Sequence, residues 1–344
     1  MPSFSSIVLA ALTLRIAQLA NAQIFTLSCD PLTIQRADPI VSPGQISSHV
    51  HAVVGGTAFQ QTMSQTTAIN SKATTCDKKL DNSNYWQPQL YHHRSDGQFE
   101  LIEFQGIAVY YLNRACDYEP GLTDCPANSN ATAPPAGLRM LVGNPTLRTF
   151  NPNSFAQQAI QHVCLRENDS PNFNSLPPMA CLRLRAETYF PSCWDGVNLD
   201  SADHTSHMAF PVNNYNGGVC PESHPKAIYS VFYEFFYDTS TVTDFNNWVW
   251  AMGDPTGYGL HADFINGWTD QNALEQAINT CTGPQGFGSP DCSVNAGEGS
   301  AQTLSPEVAA PPEQVGLNGP IAALPGNNPV TGTPIKKARR ALKF

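Results

Sequence analysis

Ser230-Val231-Phe232-Tyr233-Glu234-Phe235 is the stretch that decides the fold class. It is dense in aromatic and β-branched residues, which suit a pleated, half-buried surface better than a helix. Similar runs recur at Ile24-Phe25-Thr26-Leu27, Phe99-Glu100-Leu101-Ile102-Glu103-Phe104, Ala108-Val109-Tyr110-Tyr111-Leu112 and Leu138-Arg139-Met140-Leu141-Val142. Gly, Pro, Asn and Asp bound them, as expected where strands end in turns. Helical signals are fewer. The best spans Asp270 to Thr280, with Asp270 placed to cap and Leu274 and Ile278 on one face. The expectation is a mainly β fold, a β-sandwich or jelly-roll-like body with few short helices and long disulfide-stapled loops.

Residues 1–22 read as a secretory signal. An apolar run from Ile7 to Leu14 precedes the small-x-small site Ala20-Asn21-Ala22. All ten cysteines lie beyond it, an even count that favours disulfides in an exported chain. No Cys-x-x-Cys pair suggests a cysteine metal cluster. Cys116 with Cys125, Cys281 with Cys292 and Cys193 with Cys220 are the expected local bridges. Asn130 and Asn168 open glycosylation sequons. Residues 23–292 read as a single secreted domain. Residues 293–344 are rich in Pro, Gly, Ala and Asn, end in a basic cluster, and read as a disordered tail. With 28 acidic against 18 basic side chains, the net charge of −10 argues against nucleic acid as a partner. No apolar stretch beyond the signal is long enough to span a bilayer.

The histidines carry the chemistry. His49 and His51 sit two apart in Ser48-His49-Val50-His51, and His261 sits two before Asp263. On a strand, residues two apart share a face, so each pair can converge on one point. Imidazole and carboxylate ligate zinc-like metals and also serve as acids and bases. His49, His51 and His261 are therefore the candidate ligands of one divalent metal ion, the cofactor this pattern allows. A second group falls between Asp195 and His207, with Asp195, Asp203, His204 and His207 close together, and His224 follows in Cys220-Pro221-Glu222-Ser223-His224-Pro225. His204 and His207 share a face only in a helical turn, and His207 is the one kept for the site. The candidate catalytic set is thus His49, His51, Asp195, Asp203, His207, His224, His261 and Asp263, gathered in one solvent-reachable hollow. His92 and His93 are adjacent and point opposite ways on a strand, so they make poor joint ligands.

Asn84, Tyr85, Trp86 and Tyr91 lie in one segment, and Tyr258, Asn266 and Trp268 in another. Flat aromatic faces beside amides suit sugar binding, although the same residues also build ordinary cores.

Taken in order, Ser47-Ser48-His49-Val50-His51, Asp81-Asn82-Ser83-Asn84-Tyr85-Trp86-Gln87-Pro88, Phe190-Pro191-Ser192-Cys193-Trp194-Asp195-Gly196, Asp203-His204-Thr205-Ser206-His207, Cys220-Pro221-Glu222-Ser223-His224-Pro225 and Gly257-Tyr258-Gly259-Leu260-His261-Ala262-Asp263-Phe264-Ile265-Asn266-Gly267-Trp268 resemble one family. It is the secreted, largely fungal family of uncharacterised domains numbered nineteen-ninety-six. The resemblance runs from about Asp30 to Cys281. It implies an extracellular or cell-wall setting and no particular reaction.

Three functions fit these residues. The first is a polysaccharide-active hydrolase or lyase, with extracellular or cell-wall polysaccharide as partner. The second is a non-catalytic glycan-binding or surface stress-sensing module. The third is a structural or effector protein whose histidines stabilise the fold. Clustered imidazoles favour the first, because sugar binding alone rarely needs them.

Overall fold

The computed structural model describes residues 23–127, 129, 131–281, 288–300 and 303–334. The expected signal segment, Asn130 and the basic end at 336–340 lie outside the described residues. The fold is mainly β and antiparallel, as expected, and its core is a sandwich of two sheets. One sheet has six strands in the order Gln23–Cys29, Phe104–Leu112, Ser230–Asp238, Arg183–Tyr189, Ile160–Leu165 and Asn172–Phe173. The other has five, in the order Pro31–Gln35, His51–Gly55, Asn84–Pro88, His261–Ile265 and Arg139–Gly143.

Side-chain alternation explains the packing. From the six-stranded sheet, Phe25, Tyr111, Tyr233, Phe235 and Tyr237 point inward, and from the five-stranded sheet Ala52, Val54, Tyr85, Ala262 and Phe264 meet them. Tyr85 and Tyr233 touch edge to face, their ring centroids 5.3 Å apart. Each large side chain buried this way contributes about 1.5–3 kcal/mol. The alternate positions of the five-stranded sheet, Val53, Trp86 and Ile265, turn to its other face. There they pack with Ala37 and Ile40 from the connection before the His51–Gly55 strand and with Phe59 and Met63 from the connection after it. These two connections cover the outer face of the sheet, on which the histidines lie.

The helix Gln271–Thr280 forms as read, with Asp270 accepting from the Ala273 N–H. The run Phe99–Phe104 is not one strand. Phe99–Leu101 pairs with Leu90–His93, while Phe104 opens the strand of the six-stranded sheet. The chain changes sheets between them, because Ile102 N–H bonds Leu90 O while Glu103 O accepts from Asp238 N–H.

Five disulfides close the loops: the three expected ones, plus Cys29–Cys76 and Cys164–Cys181. Such bonds persist in oxidising compartments, and among the described residues no helix is long and apolar enough to cross a membrane. The five disulfides are consistent with an extracellular protein.

The Pro/Gly-rich segment departs from the expected disordered tail over residues 303–334. Val315 and Leu324 are buried with Val50, Tyr91, Phe99 and Val249. Phe99 and Ile321 exchange two backbone hydrogen bonds, Tyr91 Oη donates to Val315 O, and Arg36 pairs with Glu313 at 2.9 Å. The segment cannot form a core of its own, but a groove on the finished domain supplies the missing apolar surface.

Candidate functional site

Two strands and one loop bring the histidines together. His51 opens its strand and is in register with Pro88, while His261 opens another and is in register with Gly143. The Asn84–Pro88 strand lies between them. His51, His261 and Asp263 all project from the outer face, as the two-residue period requires. His49 lies in the bend before the His51 strand, not within it. Its ring still reaches the other two, with centroids 4.4 Å from His51 and 4.9 Å from His261.

Backbone carbonyls set the tautomers. His51 Nδ1–H donates to Ala37 O at 3.1 Å, and His261 Nδ1–H donates to Gly259 O at 3.0 Å. Each ring therefore turns an Nε2 lone pair to the centre. His49 Nδ1 meets Ser48 Oγ at 2.9 Å, and its Nε2 lies 2.9 Å from Nε2 of His261. Two nitrogens so close need a proton or a cation between them, because bare lone pairs repel. In tetrahedral zinc with Zn–N of about 2.0 Å, neighbouring nitrogens stand about 3.3 Å apart, so the observed spacing is within a few tenths of a ligating one.

Two carboxylates complete the cluster. One potential ligand atom from each of His49, His51 and His261 lies within 4.8 Å of the others, and the same holds for Asp38, His51 and Asp263. Asp263 is fully buried, and neither of its oxygens has a hydrogen-bond partner. The Nε2 of His51 has none either. Burial, aided by the charge of Asp38, holds the Asp263 carboxyl well above the usual carboxylate range. Burial also raises Asp38, against hydrogen bonds from the Val41 and Ile40 N–H groups and the nearby His204. The imidazoles move the other way. Desolvation and mutual repulsion hold His49 and His51 well below the ordinary histidine range, and burial lowers His261 to about 4. The centre is thus a set of neutral imidazoles facing acids that burial resists ionising, the electrostatic setting a bound cation would relieve.

Asp254 shapes the loop before His261. Its carboxylate accepts from Thr256 N–H, Thr256 Oγ and Gly259 N–H, which fixes the Gly259 carbonyl that orients His261.

The cluster is not the solvent-reachable hollow expected. His49, His51 and His261 are 4%, 0% and 3% exposed, because the 36–47 connection covers them. The final segment adds to the cover, with Asn328 donating to Ser48 O.

Asp195, Asp203, His207 and His224 do not join this centre. Asp195 accepts from the Val197 and Asn198 N–H groups, and Asp203 from those of Thr205 and Ser206, so both cap turns. His207 is buried between Ser201 Oγ and Arg139 O, and His224 spans Ser223 Oγ and Ser206 O. Their hydrogen-bonding capacity is spent on the fold.

The expected sugar-stacking faces are also corrected. Tyr85, Trp86, Tyr91 and Trp268 are fully buried, as are Asn84 and Asn266. Tyr85 Oη donates to Asp81 and meets Tyr111 Oη, which accepts from Trp268 Nε1, making a polar thread through the sandwich core. Asn84 and Asn266 donate to backbone carbonyls. Only Tyr258 keeps partial exposure, stacked on Phe150. Asn168 is exposed in a bend.

Sequence reading missed Asp38, Ser48 and the carbonyls of Ala37 and Gly259. Asp38 opens the segment before the histidines, but no spacing rule joins it to them. Backbone carbonyls leave no mark in a sequence.

A family model described as "Domain of unknown function (DUF1996)" matches residues 38–268, so it takes in Asp38, all three histidines and Asp263. No curated protein and no solved structure matches this chain.

Proposed function

This chain belongs to the DUF1996 family of uncharacterised domains, and we propose that within it the domain binds one divalent transition-metal ion through Nε2 of His49, His51 and His261, with Asp263, which is grouped with Asp38 around His51, closing in as the fourth ligand on binding. The observation that carries this reading is Asp263, which is wholly buried with two unpartnered oxygens near an unpartnered imidazole nitrogen. Buried polar groups are almost always satisfied, so a group this costly implies a partner. Three imidazoles and one carboxylate suit zinc and related ions. Such an ion would supply an activated water for hydrolysis. We assign the domain to the hydrolysis of extracellular or cell-wall polysaccharide, a setting supported by its five disulfides. The low exposure of the three rings favours a second reading, in which the ion is structural and the domain is a non-catalytic glycan-binding or surface-sensing module.

Protein purified without a histidine tag and supplied with zinc, copper or manganese should retain about one ion per chain. His261→Ala and Asp263→Ala should lose it. Failure of all three metals to bind stoichiometrically would overturn the reading. Sugar release from a panel of wall polysaccharides, lost in His49→Ala with the fold intact, separates the enzyme from the module.

A further inference from the structure

Residues 313–334 lie outside 38–268, the stretch that the family model matches, yet they hold both sides of the histidine centre. One side is the bend that carries His49. Asn328 Nδ2–H donates to Ser48 O at 2.8 Å. Arg36 Nε–H donates to Ser47 O, and the same guanidinium pairs with Glu313 at 2.9 Å. Ser47 N–H bonds Arg36 O in return, so Glu313 grips the 36–47 connection at its base. The other side is the loop before His261. Thr331 N–H bonds Gly253 O at 2.9 Å, and Thr331 O accepts from Arg148, whose guanidinium lies 3.6 Å from Asp254. Asp254 in turn fixes the Gly259 carbonyl that orients His261. The fit needs glycine at two points. A Cβ on Gly326 would stand 2.4 Å from Ser48 O, and one on Gly253 would stand 2.1 Å from Pro329 O. Both residues also have positive φ.

The grip is nonetheless light. The segment takes up no helix or strand, and Phe99 with Ile321 is its single bridge to a strand of the domain. Val315 and Leu324 are its buried hydrophobic anchors, whereas Leu317 and Val330 stand 61% and 40% exposed. No disulfide ties it down, because the last cysteine of the chain is Cys292. Ordering such a stretch costs backbone entropy and returns little buried apolar area. Segments of this kind detach at a free energy well below that of global unfolding.

We propose that residues 313–334 are a releasable latch over the histidine centre. Docked, they hold the His49 bend and the His261 loop closed. Undocked, they free the bend and admit water and solutes to His49, His51 and His261. The latch reconciles unspent ligand atoms with rings no more than 4% exposed. Access is then controlled from the apolar groove that seats Val315 and Leu324, not from the centre itself. The latch rests on the proposed metal centre for its purpose, but not for its geometry.

The test is the rate at which diethyl pyrocarbonate modifies each histidine of the full-length, metal-free protein, resolved by peptide mass spectrometry. His207, 1% exposed and bonded to Ser201 Oγ and Arg139 O, reports general loosening of the fold. Val315→Asp/Leu324→Asp should raise the His49 rate about tenfold and leave that of His207 within about twofold of the wild type. If this variant does not fold, Glu313→Gln/Asn328→Ala, which keeps both apolar anchors, decides on the same two rates, with a rise of about threefold expected at His49. An unchanged His49 rate, or one that rises only in step with His207, overturns the latch. Metal content is measured separately. A chain that binds no ion can still show the latch, and a chain that binds one can lack it, so either reading can fail alone.

Discussion

The histidine centre and the Asp195–His224 region contain the same residue types and read alike in sequence, yet they differ in one physical respect. In the second region Asp195, Asp203, His207 and His224 have all found partners nearby. Asp195 and Asp203 take turn N–H groups, and His207 and His224 each join a hydroxyl to a backbone carbonyl. In the first, the carbonyls of Ala37 and Gly259 take one nitrogen of His51 and of His261 and leave the other turned inward, while Asp263 is left with nothing. Residue type alone does not identify a site. Several buried polar groups left unspent around one point do.

The largest expected effect tests that contrast directly. If an ion fills the histidine centre, its binding stabilises the folded chain by RT ln(1 + [L]/Kd), about 4 kcal/mol at a thousandfold excess over Kd. Chelator should therefore lower the melting temperature of the wild type by several degrees, and that response should vanish in Asp263→Asn. Asp203→Ala should lose only its turn hydrogen bonds, with a small effect on melting, and keep the full chelator response. Equal responses in the two variants would erase the distinction between the regions.

His162 supplies an intermediate case. It is fully buried like His51, beside Trp250, but among the described residues it belongs to no group able to hold a metal. Desolvation lowers it to about 3. The folded chain therefore keeps it neutral, while the unfolded chain protonates it below the ordinary value near 6.5. Its contribution is fully present above that value and is lost as pH falls towards 3. Between pH 6.5 and 4.5 the loss is about 2–3 kcal/mol. Denaturant titrations at the two pH values should show a shallower fall in His162→Leu than in the wild type. An unchanged fall would mean that His162 is protonated in the fold, and that burial alone does not silence an imidazole here.

Much of this was legible in the chain. Alternating aromatic runs gave the sandwich, and the two-residue spacing placed His261 and Asp263 on one strand face, whereas His49 lies in a bend rather than on the strand of His51. Convergence with His49 could be anticipated, but its enclosure could not, because the cover comes from the 36–47 connection and from Asn328, far along the chain. Tyr85 and Trp268 misled for a definite reason. A large ring with a polar tip suits a sugar and a core equally, and only the partner, here Tyr111 Oη, tells them apart. Val315 and Leu324 were invisible as anchors because their own neighbours are Pro, Gly and Asn. The apolar groove that holds them is assembled from residues more than two hundred positions earlier, such as Val50 and Tyr91, together with Val249.

The smallest expected effect falls on His224, and it sharpens the comparison from the other side. His224 is half-buried, and its ring bridges Ser223 Oγ and Ser206 O, tying one loop to the turn that carries His207. Glutamine keeps the hydrogen-bonding character and removes the imidazole. His224→Gln should therefore change stability by no more than about 0.5 kcal/mol, and it should leave metal content unaltered. His204 tempers this, because it belongs to the same region and lies near enough to Asp38 to favour its charged form. A His224→Gln protein that lost metal would show that the turn between the two histidines transmits strain to Asp38. The two regions would then be one site seen from its inner and outer ends.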